Sequence, residues 1–140
     1  MDETAIASYL FATFPGIDSD TATGDSFFFT DPERKFPFAT IVTKDTPFDA
    51  ASQLDRPGVF RLNIGLSKET FRALFGAPAA GPDADFARLD TLMPHPIYGK
   101  MHWACVVSPS AATFETAIRP LLDDAYALSV ARYGKLPAQD

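Results

Sequence analysis

Asp55-Arg-Pro-Gly-Val-Phe-Arg-Leu-Asn-Ile-Gly65 is the stretch whose reading decides the fold. From Val59 to Ile64 the side chains alternate in the two-residue period of a strand. Phe60, Leu62 and Ile64 share one side, and Arg61 and Asn63 take the other. Gly65 ends the run. Ser67 then follows as an N-cap, with a short helix over Lys68 to Phe75 and Gly76 as its stop. Phe71, Leu74 and Phe75 form its apolar face. A strand with one apolar side, followed at once by an amphipathic helix, calls for a sheet with helices packed on it.

Upstream, residues 3–14 read as a helix with Ile6, Leu10 and Phe14 at helical spacing, stopped by Pro15-Gly16. Asp2 and Glu3 suit its positive end. Thr21 to Thr30, with Phe27-Phe-Phe29, predicts a strand buried on both faces. Asp31-Pro-Glu-Arg34 is a turn signal, and Phe36 to Thr43 is the returning strand of a hairpin. Residues 44–57 read as a long loop holding a short helical turn at 48–54. Downstream, 77–85 is rich in Ala, Pro, Gly and Asp and is expected to be a mobile loop. Phe86 to Met93 is a short helix or an irregular segment, and Met101 to Val107 a strand. The last helix carries Phe114, Ile118, Leu121, Leu122, Ala125 and Leu128 at helical spacing. Pro120 either kinks it or opens its main part after a first turn ending near Ile118. The restriction on the residue before proline favours the second. Residues 134–140 form an expected flexible tail.

The order of elements predicts an α+β fold. A single domain over residues 1–140 would hold an antiparallel sheet of about four to five strands, with helices mainly on one face. The chain has 140 residues, 46% of them hydrophobic, and thirteen phenylalanines, enough for a substantial aromatic core. Its net charge is -6, which disfavours nucleic acid as a partner. The acidic start, Met1-Asp-Glu-Thr, has no signal-peptide pattern, and no apolar run is long enough to span a bilayer. A cytoplasmic protein without membrane partners, either a monomer or a homodimer, is expected. The lone Cys105 sits in an apolar run and reads as a small buried hydrophobe.

Catalytic spacings are missing. His95 and His102 lie seven residues apart with no third ligand in a metal-binding pattern, although Asp31 and Asp90 are conceivable. Ser67 is explained as a cap, and neither it nor Ser108 sits in a GxSxG turn. No catalytic residue, metal or cofactor is therefore expected. Arg61 and Asn63 face away from the apolar side of their strand. They are either solvated, or they line a groove able to hold a carboxylate or an amide. Tyr98, Lys100, His102 and Trp103 could form a second wall of that groove. The expected binding residues are Arg61, Asn63, His95, Tyr98, Lys100, His102 and Trp103.

Three blocks, DPERKFPFATIV, DRPGVFRLNIGLSKETFRALFG and LDTLMPHPIYGKMHWACVVSPS, resemble a bacterial family of small proteins of unknown function, over roughly residues 5–133. That family has no established activity to carry over. Residues 95–137, with Leu121-Leu-Asp-Asp-Ala-Tyr-Ala-Leu-Ser-Val130 and Lys135-Leu-Pro137, also look like the C-terminal half of MmcQ/YjbR-like proteins. This resemblance implies an antiparallel sheet with helices on one side, and DNA binding, from which the acidic charge departs. The reading that follows is a non-catalytic module binding a small anionic ligand, a peptide or a protein partner. The alternatives are an enzyme using His95 or His102 as general base, and a DNA-associated protein.

Overall fold

The computed structural model describes residues 1–76 and 85–134. The loop expected at 77–85 and the tail expected at 134–140 fall outside the described residues, except for Asp85 and Gly134. Strands β1 (Asp18–Ala22), β2 (Asp25–Phe29), β3 (Ala39–Val42), β4 (Arg61–Gly65), β5 (Met93–Pro94) and β6 (Trp103–Val107) form one sheet. All pairings are antiparallel, in the order β1-β2-β3-β4-β6-β5. The sheet therefore has six strands, more than the four to five expected.

The extra strands lie at the edges. The strand expected over 21–30 is in fact the second arm of a hairpin, turned at Thr23 (φ 53°) and Gly24 (φ 89°). Two successive positive φ values match the right-handed twist of the flanking strands, as in a type I′ turn. The first arm, Asp18-Ser-Asp-Thr-Ala22, is polar because it borders solvent, where charges discourage pairing with other chains. At the other edge β5 has two residues, and Pro94 is tolerated there because an edge strand leaves one side unpaired. Strand β6 starts at Trp103 rather than 101. Gly99–Met101 wind into a 3₁₀ turn, and His102 takes a left-handed φ of 71°. Residues 48–54 contain bends and turns but no helix, and 86–92 are irregular apart from one bridge from Leu89 to Val107.

The helices form where capping and spacing predict. In α1 (Glu3–Thr13) the Asp2 carboxylate accepts from the Ala5 N–H at 2.8 Å. In α2 (Lys68–Phe75) Ser67 Oγ accepts from the Thr70 N–H at 3.2 Å. Asp124 in turn accepts from the Ser67 N–H and from the hydroxyls of Ser67 and Thr70. At the C-terminal end a short turn (Ala111–Thr113) and a π turn (Phe114–Ile118) lead directly into α3 (Arg119–Tyr133). Pro120 is the second residue of α3, so it does lie at the opening of the main helix. The boundary near Ile118 is a change of winding and not an end. The Arg119 N–H reaches back five residues to the Phe114 carbonyl, and this wider turn absorbs the bond that Pro120 cannot make.

The pleat gives the sheet two different faces. Phe28, Ala39, Ile41, Leu62, Ile64, Ala104 and Val106 point to one side, where they pack with Ile6 and Leu10 of α1, Phe71 of α2, and Phe114, Ile118 and Leu122 near and in α3. That face is the main core, and the helices cover it as expected. Thr40, Arg61, Asn63 and Cys105 point to the other side, which loops cover. Among the described residues, no helix is long and apolar enough to cross a membrane.

Gly65 pairs with Trp103 across β4 and β6, and a Cβ at Gly65 would lie 2.9 Å from the indole ring. Gly65→Ala should cost about 1–3 kcal/mol through overpacking. Urea denaturation checks this. In a Trp103→Leu background the added cost of Gly65→Ala should shrink toward zero, because the ring that the methyl meets is gone.

Candidate functional site

The loop-covered face of the sheet is built around a buried cation. Arg61 is 0% exposed, on the central strand β4. Its Nε donates to Asn63 Oδ1 at 2.7 Å, and its Nη1 donates to Ser52 Oγ at 2.9 Å and to Asp49 Oδ1 at 3.1 Å. Its Nη2 donates to Asp49 Oδ2 at 2.5 Å and lies 3.1 Å from His95 Nε2. Four of the five N–H groups thus have oxygen acceptors within the chain. The guanidinium fork that could receive a ligand carboxylate already holds one, that of Asp49. Asn63 extends the network by donating from Nδ2 to Thr40 Oγ1 at 2.9 Å.

Each partner arrives from a segment shaped for the purpose. The loop carrying Asp49 and Ser52 is pinned by its own polar side chains. Asp45 accepts from the Leu54 N–H at 2.7 Å, and Leu54 is buried. Thr46 and Asp49 exchange backbone hydrogen bonds. His95 sits in a tight turn between Pro94 and Pro96, closed by its N–H donating to the Trp103 carbonyl at 2.9 Å. Its Nδ1 accepts from the N–H groups of Ile97 and Tyr98, both at 3.0 Å. After β2, the buried Asp31 carboxylate accepts from the N–H groups of Lys35 and Glu33, which hold it below its ordinary pKa and shape the approach to Phe36.

Over this network lies a pocket of about 460 Å³. Arg61, Asn63, Thr40, Asp49 and His95 contribute its polar part. Phe27, Phe36, Pro37, Val42, Tyr98, Met101 and Trp103 make its walls, which are mainly apolar. The rim is unusual for a protein surface, since Phe36, Tyr98 and Met101 are all exposed large side chains. Phe48, 70% exposed, stands beside Tyr98 with ring centroids 6.5 Å apart.

Of the seven expected binding residues, Arg61, Asn63, His95, Tyr98 and Trp103 come together at this pocket. Lys100 is exposed in the 3₁₀ turn, and His102 turns its ring onto Phe71, at 5.5 Å, on the helix side of the sheet. Neither lines the pocket. The solvated alternative for Arg61 and Asn63 is overturned, because both are buried. Asp49, Thr40, Phe27 and the 35–37 wall were not anticipated. The signal for Asp49 was electrostatic: a buried arginine on a central strand needs a carboxylate partner, but nothing local says which of the loop acids supplies it.

The electrostatics limit the chemistry. Burial drives the His95 pKa down, the Arg61 charge drives it further, and the Asp49 charge only partly offsets them, leaving it at about 3. A proton taken up here would place a second cation beside Arg61, so the ring is a poor base at neutral pH. Burial pushes Asp49 up, but the hydrogen bond and charge of Arg61 outweigh it and hold the carboxyl below its ordinary value. Burial pushes the Cys105 thiol up to about 12, and its Sγ lies against the Pro94 carbonyl at 3.7 Å, the environment of an inert thiol. Asp31 and Asp90 are occupied by backbone N–H groups. Among the described residues, no group of three or more His, Cys, Asp or Glu side chains is placed to hold a metal ion.

A family model matches residues 1–138. The chain belongs to DUF6194, a family of unknown function. That agrees with the resemblance carried by the three blocks to a family of small proteins of unknown function. No curated protein and no solved structure matches the chain. Membership in DUF6194 supplies no activity, so the chemistry of the pocket has to be read from its own residues.

Two measurements check the network. Asp49→Ala leaves the Arg61 charge buried without its counter-ion and should cost about 3–5 kcal/mol in urea denaturation. Replacing both partners, Arg61→Met with Asp49→Leu, should cost less than Asp49→Ala alone. Secondly, His95 is depressed from 6.5 to about 3 in the folded state. Between those values the unfolded chain binds a proton that the folded chain refuses. Stability should therefore fall as pH is lowered through this window, by up to about 1.4 kcal/mol per pH unit from this group. Denaturation at about pH 6 and about pH 5 should show the slope, and His95→Gln should flatten it.

Proposed function

We propose that the chain is a non-catalytic binding module whose pocket takes a small molecule with a largely apolar body. The observation that carries this reading is the pocket itself: exposed aromatic and methionine side chains surround a rigid polar floor whose buried cation is already neutralised. Pockets of this size with apolar walls and a few convergent polar groups are the usual form of small-ligand sites. Two features set the enzyme reading lower. His95 has the lone pair of Nδ1 taken by two backbone N–H groups and a strongly depressed pKa, and His102 stands outside the pocket.

A peptide is the second reading. An adjoining depression of about 240 Å³, bordered by Leu128, Arg132 and Tyr133, shares Phe36, Pro37, Met101 and Trp103 with the pocket. Together the two would accommodate an extended occupant. A YjbR-like ancestry fits the antiparallel sheet with its one-sided helices. The DNA binding that this ancestry suggests is opposed by the net charge of -6. A cytoplasmic setting belongs to the same proposal.

A thermal-shift screen against small metabolites, short peptides, metal ions and short DNA tests these readings. A ligand at about a hundred times its dissociation constant stabilises by about 2.7 kcal/mol. The expected result is a rise in Tm with an apolar small molecule, lost in Val42→Phe, which fills the pocket from β3. A rise with DNA or metal ions that Val42→Phe leaves unchanged would sink the proposal. Peptide binding would show as NMR shifts at Leu128 and Arg132 together with Asn63.

A further inference from the structure

The hydrogen-bond inventory around His95 has one proton too many. Nδ1 accepts two backbone N–H groups, so it carries a lone pair and not a hydrogen. A neutral imidazole then bears its proton on Nε2. Nε2 lies 3.1 Å from Arg61 Nη2, and a guanidinium offers no acceptor. The contact between the two side chains is thus donor against donor. Among the described residues, no oxygen is placed to accept from Nε2. The other tautomer is worse, because it would turn the Nδ1 proton against two backbone N–H groups.

Two N–H groups, from His95 Nε2 and Arg61 Nη2, therefore converge on one point of the pocket wall without a protein acceptor. Both side chains are buried, at 4% and 0% exposure, so each group is costly to leave unpaired. From this pair, and resting on the pocket reading above, we propose the ligand class: a neutral, mainly apolar molecule that presents one hydrogen-bond-accepting oxygen, such as a ketone or amide carbonyl, to His95 and Arg61. A small shift of the His95 ring opens the space between the two donors to that oxygen, and the apolar body lies against Phe27, Val42 and Trp103.

The neutrality follows from the charges. The Arg61 cation is matched by Asp49, whose carboxylate sits in its fork. Lys35, the other cation lining the pocket, lies 3.2 Å from Glu33. An incoming carboxylate would find no unmatched positive charge and would be desolvated near Asp49. The anionic ligand expected from Arg61 alone is disfavoured for this reason, and an uncharged acceptor is favoured.

The test uses the ¹⁵N-labelled full chain and three probes of similar shape: acetophenone, toluene and sodium benzoate. A long-range ¹H–¹⁵N spectrum should show His95 as the Nε2–H tautomer. Acetophenone should move the Nε2 resonances and bind about tenfold or more tightly than either other probe, the ratio expected where a buried donor loses its acceptor. An Nδ1–H tautomer would overturn the inference. So would equal binding of toluene, which leaves both donors to water, or tighter binding of benzoate; either result leaves the pocket reading standing. If none of the three moves resonances of Thr40, Asn63 or Trp103, the pocket reading falls and the inference falls with it.

Discussion

A guanidinium removed from water on the central strand is the constraint around which half of this structure is arranged. Arg61 has no exposure to solvent, and a buried cation is stable only when a counter-ion and hydrogen-bond acceptors replace its hydration. Asp49 provides the charge, and Asn63 and Ser52 provide further acceptors. Those partners come from the same strand and from a loop before it, while His95 is added from a turn more than thirty positions later. That loop and turn, neither of which has regular secondary structure, are held by their own hydrogen bonds and brought together at one side chain.

The two faces of the sheet obey different physics. On the helix side, apolar residues from four strands, β2, β3, β4 and β6, meet three helices, and burial of aromatic and aliphatic area supplies the stabilisation. On the other side the chain places Thr40, Asn63 and Arg61 in neighbouring register, so hydrophobic packing cannot cover them. Loops can, because they bring polar side chains and free backbone groups. A loop cover also leaves space where a helix would not, and the pocket lies in that space. Rigid floor and apolar rim are consequences of the same choice of covering.

Much of the framework was legible from local signals. The Ser67 cap and the Gly76 stop specify α2 to the residue, and the alternation Phe60-Arg-Leu-Asn-Ile64 places β4, which runs from Arg61 to Gly65 rather than from Val59 to Ile64, within two residues, because strand period and helix caps are short-range effects. Strand β1 escaped because edge strands need no apolar face, and its only local mark was the Thr23-Gly24 turn. The winding near Pro120 escaped because a π turn depends on packing of the whole helix and not on the proline alone. At the site, clustering of unusual polar and aromatic residues pointed to five of the pocket residues. It also drew in Lys100 and His102, since sequence proximity to Trp103 does not reveal that a left-handed residue turns His102 to the opposite side of the sheet.

The sequence by itself determined an α+β chain with an antiparallel sheet, helices on one face, and an arginine and asparagine facing away from them. Those properties follow from periodicity, capping and composition, all of which act over a few residues. Only the tertiary structure decided that Asp49 fills the arginine fork, that His95 lies against Arg61, and that Phe36, Tyr98 and Met101 gather at one rim. Those relations join segments far apart in the chain. They are set by which partner can reach a buried charge when the loops close, and that is a question of geometry in three dimensions.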